Sequence, residues 1–544
     1  MNLSQFYSDC IAKQQQQPHP MKRFTAPNDK TSDDPTGGWS RNILAEEISL
    51  STASSRDPLA VEDTTDEAGG FGKAAVGNAE NDGSADVAET NDWRAIWITF
   101  GVAILCSVEA SIVSIGEWPY MQQMDPDATV QFKGVSQSLS QAMHAIAVVF
   151  FGLWQHRFQH SKWPMIAGRV IAYVGIVLYL AVELFPTNRR FVMMFCGIFF
   201  TVSQSSTTVL RAYAVSISSR EMRAKIFALL MLAAMLSIII SPLTQLAFSG
   251  IPYPGAQILP GILFHVYSAP VWLALLTNTI ALIVIACLFK DPPRKPRNLA
   301  EQWSLERLKR LLRDLVKMPF SWPLVAVCLF SKTVDMFNKA NLQSLMQPLV
   351  MVVYGWSGLA TVRLMSVCMA AVGVCAIAVT ALFVLCRLAE RIHLSILFLV
   401  STLAVLGMYI LTYPFPSYGT VIAAYNETTR TGCNPEIYSW CEGTAGPPVL
   451  LLITTMGAIM GISMPVNVVS IDTLYSKILG DVDQSLMQAI FVLFQDIPEV
   501  FIPLLTTYLF TAHGVGTVWL VAIGVISSGV VVWVGALRWL LRYK

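Results

Sequence analysis

Apolar residues run in long stretches from about residue 94 to the C-terminus, and the polar positions between them cluster as turn formers. A hydrocarbon core of roughly 30 Å needs about 20 apolar residues in helical form. Twelve stretches meet that length, near 94–115, 132–154, 164–185, 191–217, 224–248, 264–289, 322–350, 362–386, 393–414, 447–474, 485–510 and 515–540. The pattern predicts an all-α membrane protein of twelve transmembrane helices, spans one to twelve, in two six-helix halves.

Residues 1–92 follow no such pattern. "QQQQPHP" and "GGFGKAAVGNAENDGSAD" are polar and poor in large apolar residues, and the stretch from Glu46 to Asp92 is acidic. Such a composition buries too little surface to offset its ordering entropy, so a disordered acidic cytoplasmic tail is expected. It lacks the apolar core of a cleaved signal peptide. The expected layout is a tail at 1–92, an N-terminal half at 93–289, a basic cytoplasmic connector at 290–320 and a C-terminal half at 321–544.

Composition sharpens this picture. The chain is 54% hydrophobic and 13% charged, which sets it apart from soluble domains. A formal net charge of +1 gives no reason to expect a nucleic-acid partner. No Walker loop, HExxH or CxxC motif is present and the histidines are scattered, so neither enzyme activity, a metal site nor a cofactor is expected. Most cysteines sit singly in apolar runs, as small buried residues do.

Short-loop lysines and arginines set orientation, because they are retained on the cytoplasmic side. Arg157 and Lys162 follow span two, Arg220, Arg223 and Lys225 follow span four, Lys290 to Lys317 carries nine basic residues after span six, and Arg538, Arg542 and Lys544 close the chain. Both termini are therefore expected in the cytoplasm. The large loop of opposite parity holds the glycosylation sequon Asn426-Glu427-Thr428, with Asn426 as acceptor. It also holds Cys433 and Cys441, eight residues apart, which suit a disulfide in an oxidising lumen. In the connector, Glu301 to Lys317 has helical apolar spacing with a basic face, read either as a membrane-surface helix or as a solvated linker.

Several strings carry a family resemblance. "GLWQHRFQHSKWP" keeps Gly152 and Arg157 of a cytoplasmic gate loop, with His156 and Gln159 where the signature has Asp and Gly. "EWPYMQQMDP", "VLRAYAVSISSREMRAK", "YSAPVWLALL", "CNPEIYSWC" and "DTLYSKILG" are more specific. On these the chain resembles the major facilitator superfamily, in the lysosomal branch of the domain-containing protein 8 type associated with ceroid lipofuscinosis. The resemblance covers about residues 93–544. It implies a multipass lysosomal or late-endosomal protein with transporter or chloride-conducting activity. The chain departs from that branch where Gln343 and Ser344 precede Pro348, and where Glu499 stands at a position usually held by Arg.

Span seven carries "SKTVDMFNKANLQS", with Lys332, Asp335 and Lys339 in mid-bilayer register. At about 100° per residue, Lys332, Asp335, Lys339 and Gln343 fall within about an 80° arc, roughly 16 Å long. Asp335 is spaced to touch both lysines. In the arrangement that the resemblance implies, spans one, four, seven and ten line a central cavity. Those spans hold Glu109, Arg211, Lys332, Asp335, Lys339, Gln343, Asn467 and Asp472. Charges at that depth are expected to face a water-filled path rather than lipid. A structural ion pair is the competing reading for Asp335 with Lys339, and capping or snorkelling for Asp472. His144 reads as a hydrogen-bonded packing residue. Asp496 and Glu499, three apart in span eleven, share a face, and they join Glu109 and Asp335 as candidate proton carriers.

The function expected is alternating-access transport of a small, anionic solute across the endolysosomal membrane, with possible proton coupling. A passive chloride or anion channel on the same fold stays open, as does a non-transporting scaffold whose tail binds a cytoplasmic partner. The plasma membrane is the alternative location.

Overall fold

The structure is a computed structural model that describes residues 93–158, 160–217, 223–291, 321–386, 391–427, 431–480 and 485–543. The N-terminal tail and the connector with its candidate surface helix lie outside the described residues.

Among the described residues, nine helical stretches are long and apolar enough to cross a membrane. Two further helices, Val130–Phe158 and Trp322–Val353, have ample length but carry the polar residues of spans two and seven. The last stretch, Ile490–Leu540, contains two expected spans. Helix Ser485–Leu540 runs through both, and they part at Gly514, where φ is 81°. The twelve-span layout is thus present, within an all-α multipass fold.

Span one is Trp93–Ser114, and a short helix, Glu117–Met124, follows it. Spans two and three are Val130–Phe158 and Lys162–Leu180. Span four is broken in two, Arg189–Ser205 and Thr207–Ser216, amid the run "SQSST", where Ser205 and Ser206 hydroxyls bond to the carbonyls of Thr201 and Ser203. Spans five and six are Arg223–Ala247 and Ala269–Leu288, joined through an antiparallel hairpin in which β1 (Ala256–Leu259) pairs with β2 (Ile262–Phe264). Spans seven to nine are Trp322–Val353, Gly358–Leu385 and Leu394–Leu411. Span ten is interrupted: Val449–Ala458, a π-helical turn at Ile459–Ser463, then Met464–Leu479 with Pro465 in its first turn. Wide turns of this kind are frequent at functional positions.

The loop before span ten forms β3 (Thr420–Val421) and β4 (Ala445–Gly446) and carries the Cys433–Cys441 disulfide. It caps span seven: the amides of Ala423 and Gly432 donate to the carbonyls of Val353 and Met351 at 2.9 and 3.0 Å. Those carbonyls belong to the last turn of a helix and have no partner within it. We call this end of the molecule the disulfide side and the other the connector side.

Buried tryptophans join the outer helices. Trp519 Nε1 donates to Thr412 Oγ1 at 2.8 Å, and Trp533 Nε1 donates to the Ser395 carbonyl at 2.9 Å, tying span twelve to both ends of span nine. Buried indole N–H groups need such partners.

The two halves meet where span two packs on span eleven and span five on span eight. Each crossing has a glycine facing the partner helix at close range. A Cβ at Gly134 would overlap the Thr507 side chain, and one at Gly373 would come within 2.8 Å of Ile239 Cγ1. Missing side chains let the backbones approach, as in other membrane helix pairs. Cross-half hydrogen bonds between described residues lie toward the disulfide side. Gln347 Nε2 donates to the carbonyls of Ser114 and Ile115, Lys133 Nζ to that of Ser344, and Arg363 to that of Ser249.

Candidate functional site

Span seven is almost wholly buried from Val334 to Val353; the departures are Lys339, Gln343 and Gln347. These are spaced four apart and so lie along one face. Gln343 is exposed and the Lys339 side chain is 44% exposed, in mid-helix and next to charged neighbours. A lysine there is stable only against water or a counter-charge.

Glu499 of span eleven supplies the counter-charge, accepting from Lys339 Nζ at 2.7 Å. Asp496 lies one turn earlier on the same face of span eleven, and His144 of span two, from the other half, is within electrostatic range of it. His144 Nδ1 lies 3.0 Å from the Thr201 carbonyl and 2.9 Å from Ser205 Oγ, both on span four. A carbonyl only accepts, so Nδ1 holds the proton and Nε2 remains the basic nitrogen. Two carboxylates and one ammonium thus lie together at mid-helix on spans seven and eleven, with an imidazole of the other half within electrostatic range.

The rest of the stripe is arranged differently from its spacing. Asp335 was expected to bridge Lys332 and Lys339; instead each group turns to another helix. Lys332 Nζ donates to Asp472 Oδ1 of span ten at 2.9 Å and lies over the Phe491 ring. Asp335 accepts from Asn467 Nδ2 at 3.0 Å, and Asn467 in turn bonds Ser401 of span nine. Spacing allows intrahelical pairs worth only about 0.2–0.5 kcal/mol, and a buried charge gains more from a fixed partner across a packed interface.

A matching knot sits in the other half. Glu109 of span one pairs with Arg169 of span three, and Arg169 also donates to Ser203 Oγ of span four at 2.9 Å. Both charged side chains are at most 1% exposed. Asn278 of span six donates to the Arg169 carbonyl at 3.1 Å. The knots link spans one, three and four, and spans seven, nine and ten, which correspond when the chain is offset by six spans. Arg169 was passed over in the sequence, although a lone arginine inside an apolar span is itself a signal that a buried carboxylate lies opposite.

Other expected residues lie apart. Arg211 is exposed on span four toward the connector side, and Asp472 is exposed on span ten. Gly152 and Arg157 are exposed at the connector end of span two. Asn426 is exposed beside the disulfide, while Thr428 of its sequon lies outside the described residues. A second polar cluster in the C-terminal half, Asn338–Tyr409–Asn341–Thr506, was not anticipated; Tyr409 donates to Asn338 Oδ1 at 2.9 Å and Thr506 to Asn341 Oδ1 at 2.8 Å. Amides carry no charge to mark them in a sequence. Among the described residues no cluster of three or more His, Cys, Asp or Glu residues suits a metal ion.

Two six-span halves, joined at two crossings and carrying a charged cluster at mid-helix, define a helical membrane transporter. Residues 98–426 match the model of the Major Facilitator Superfamily, and the chain belongs to that family. It is 27% identical over 431 residues to major facilitator superfamily domain-containing protein 8 of Xenopus laevis, covering 72% of this chain and 81% of that protein. Its fold is similar to a bacterial homologue of the human lysosomal transporter Spinster in an inward-facing, occupied conformation (TM-score 0.56, 10% identity, 81% of this chain and 96% of that one). It is also similar to a D-xylose–proton symporter (TM-score 0.55, 12% identity, 82% and 98%) and to a nucleoside transporter (TM-score 0.53, 11% identity, 80% and 99%).

Proposed function

We propose that this transporter carries a small anionic solute together with a proton by alternating access, in an endolysosomal membrane with both termini in the cytoplasm. The location follows the sequence resemblance to the lysosomal branch; the coupling follows one observation. Lys339, the half-exposed cation in the middle of span seven, is occupied by Glu499 at 2.7 Å. An ammonium held by a carboxylate repels no anion but has little left to offer one. A proton delivered to Glu499 removes that competitor, and Lys339 then turns to the anion. Asp496, one turn from Glu499, and His144 of the facing half, within electrostatic range of Asp496, are the groups that can pass the proton on. When the anion leaves, Glu499 releases its proton and closes on Lys339 again. Proton and anion therefore travel in the same direction.

The lines of bending are present. Pro498 adjoins Glu499 in span eleven, and Pro503, Pro348 of span seven and the π-helical turn of span ten interrupt further backbone ladders of the C-terminal half. Gln347 and Lys133 hold the disulfide side together and would part when that side opens.

The test is uptake by proteoliposomes of the full chain, with chloride, phosphate and monocarboxylates as probes, with and without an inward proton gradient. Uptake is expected to rise with the gradient, to vanish in Lys339→Ala and to become gradient-independent in Glu499→Gln. Unchanged gradient-driven uptake in both variants refutes the assignment. Currents that reverse at the chloride potential without any gradient would make the protein a channel instead.

A further inference from the structure

The face of span seven that carries Lys339 and Gln343 does not end there. Met346 and Val350 follow on it, and all four positions fall within about a 60° arc. These two residues line an apolar cleft between spans seven, eight and ten. The opposite walls hold Met365 and Met369 of span eight, with Met456, Gly457 and Met460 of span ten. Measured along the helix axis, this cleft starts roughly 10 Å from Lys339 and extends to about 16 Å at 1.5 Å per residue.

Methionine has three rotatable bonds and a polarisable thioether, and surfaces rich in it repack around varied apolar ligands. Five methionines around one cleft are a wall that yields rather than a fixed core. Gly457 adds an opening in that wall, because a Cβ placed there meets no atom within 4 Å. The π-helical turn Ile459–Ser463 begins two residues later, so the regular hydrogen-bond ladder of span ten is interrupted beside the cleft.

We infer that the substrate is an amphipathic organic anion, whose acidic head is held by Lys339 and whose alkyl portion enters the methionine-lined cleft. This rests on the reading of Lys339 as the anion site and adds the chemical class. Charge and apolar wall lie in sequence along one helix face, with Gln343 between them as a neutral hydrogen-bonding step. A purely inorganic anion would make no use of the cleft.

Alkane-1-sulfonates are suitable probes because they stay ionised and do not cross bilayers as neutral acids. Binding of ethane-, butane-, hexane- and octane-1-sulfonate is measured at acidic pH, as the displacement of Glu499 requires, on the full chain in lipid nanodiscs, with empty nanodiscs as blank. Affinity is expected to rise with length, by up to about fourfold per methylene. Gly457→Leu, which fills the cleft, is expected to bring the octane-over-ethane preference close to one, and Gly457→Ala to give an intermediate value. Lys339→Ala is expected to lose all lengths. Equal binding of all lengths by the wild type overturns the inference and leaves the anion site standing. A length preference that Gly457→Leu does not reduce overturns it too. Phospholipid co-purifying with the wild type and absent from Gly457→Leu would assign the cleft to a bilayer chain, also overturning it. No binding of any sulfonate would overturn the anion site itself.

Discussion

Arg169 donates to Glu109 across the packed interior of the N-terminal half, and both side chains are sealed from solvent. The pair therefore braces spans one and three inside the packed interior of that half. Removing one member leaves an unpaired buried charge, which costs about 3–5 kcal/mol. Glu109→Ala and Arg169→Ala are each expected to lower the unfolding temperature sharply. The double variant Glu109→Leu with Arg169→Leu should recover much of the loss. Thermal unfolding of the purified protein checks this, and equal losses in single and double variants would show that the ion pair is not what matters.

Lys332 and Asp472 form the pair nearest the connector side on span seven, with Lys332 at 1% and Asp472 at 48% side-chain exposure. Asp472→Asn keeps the shape but removes the charge that holds a buried ammonium. It is expected to impair transport far more than Asp472→Glu does. A double-mutant cycle with Lys332→Met should show coupling of about 1 kcal/mol or more between the two positions. Independent effects would mean that Lys332 relies on Phe491 and its packing alone.

The glycine crossings give a conformational prediction. Gly134→Leu and Gly373→Leu push the halves apart at the contacts between spans two and eleven and between spans five and eight. Both are expected to reach the membrane with reduced stability and to lose most uptake, whereas Gly101→Leu, where a Cβ meets nothing within 4 Å, should remain active. Uptake normalised to surface or vesicle protein decides it.

Glu117, on the short helix outside the spans, has its carboxyl raised above the ordinary range by burial, partly opposed by the charge of Lys133. A carboxyl raised in the folded state favours folding while protonated. That contribution is complete below the unfolded value and is lost as pH rises through the folded one. Stability should therefore fall across this window from acid toward neutral pH. In Glu117→Gln the fall should be smaller, with the variant equal to wild type at the acid end and more stable at neutral pH. A variant no more stable at neutral pH would show that Lys133 outweighs burial.

The spans, their grouping in sixes and the Cys433–Cys441 bond were legible in the sequence because each follows from local composition or spacing. The ends of spans four and ten were less so, since the break at Ser206 and the π-helical turn arise from hydroxyl competition and backbone slack that periodicity does not register. At the site, the residues could be named but not their partners. Lys332, Asp335 and Lys339 share an arc in any helix, yet the counter-charges lie about 140 to 160 residues further along the chain. Only the packing of spans ten and eleven selects them, and the same holds for Arg169 opposite Glu109.

The disulfide-bearing loop is hydrogen-bonded to the final turn of span seven through Val353 and Met351, just beyond Pro348. It must ride with that helix end. A spectroscopic tag placed on this exposed segment, at Glu442 for example, would act as a pointer on a dial, translating a hidden tilt into a displacement readable from the aqueous phase.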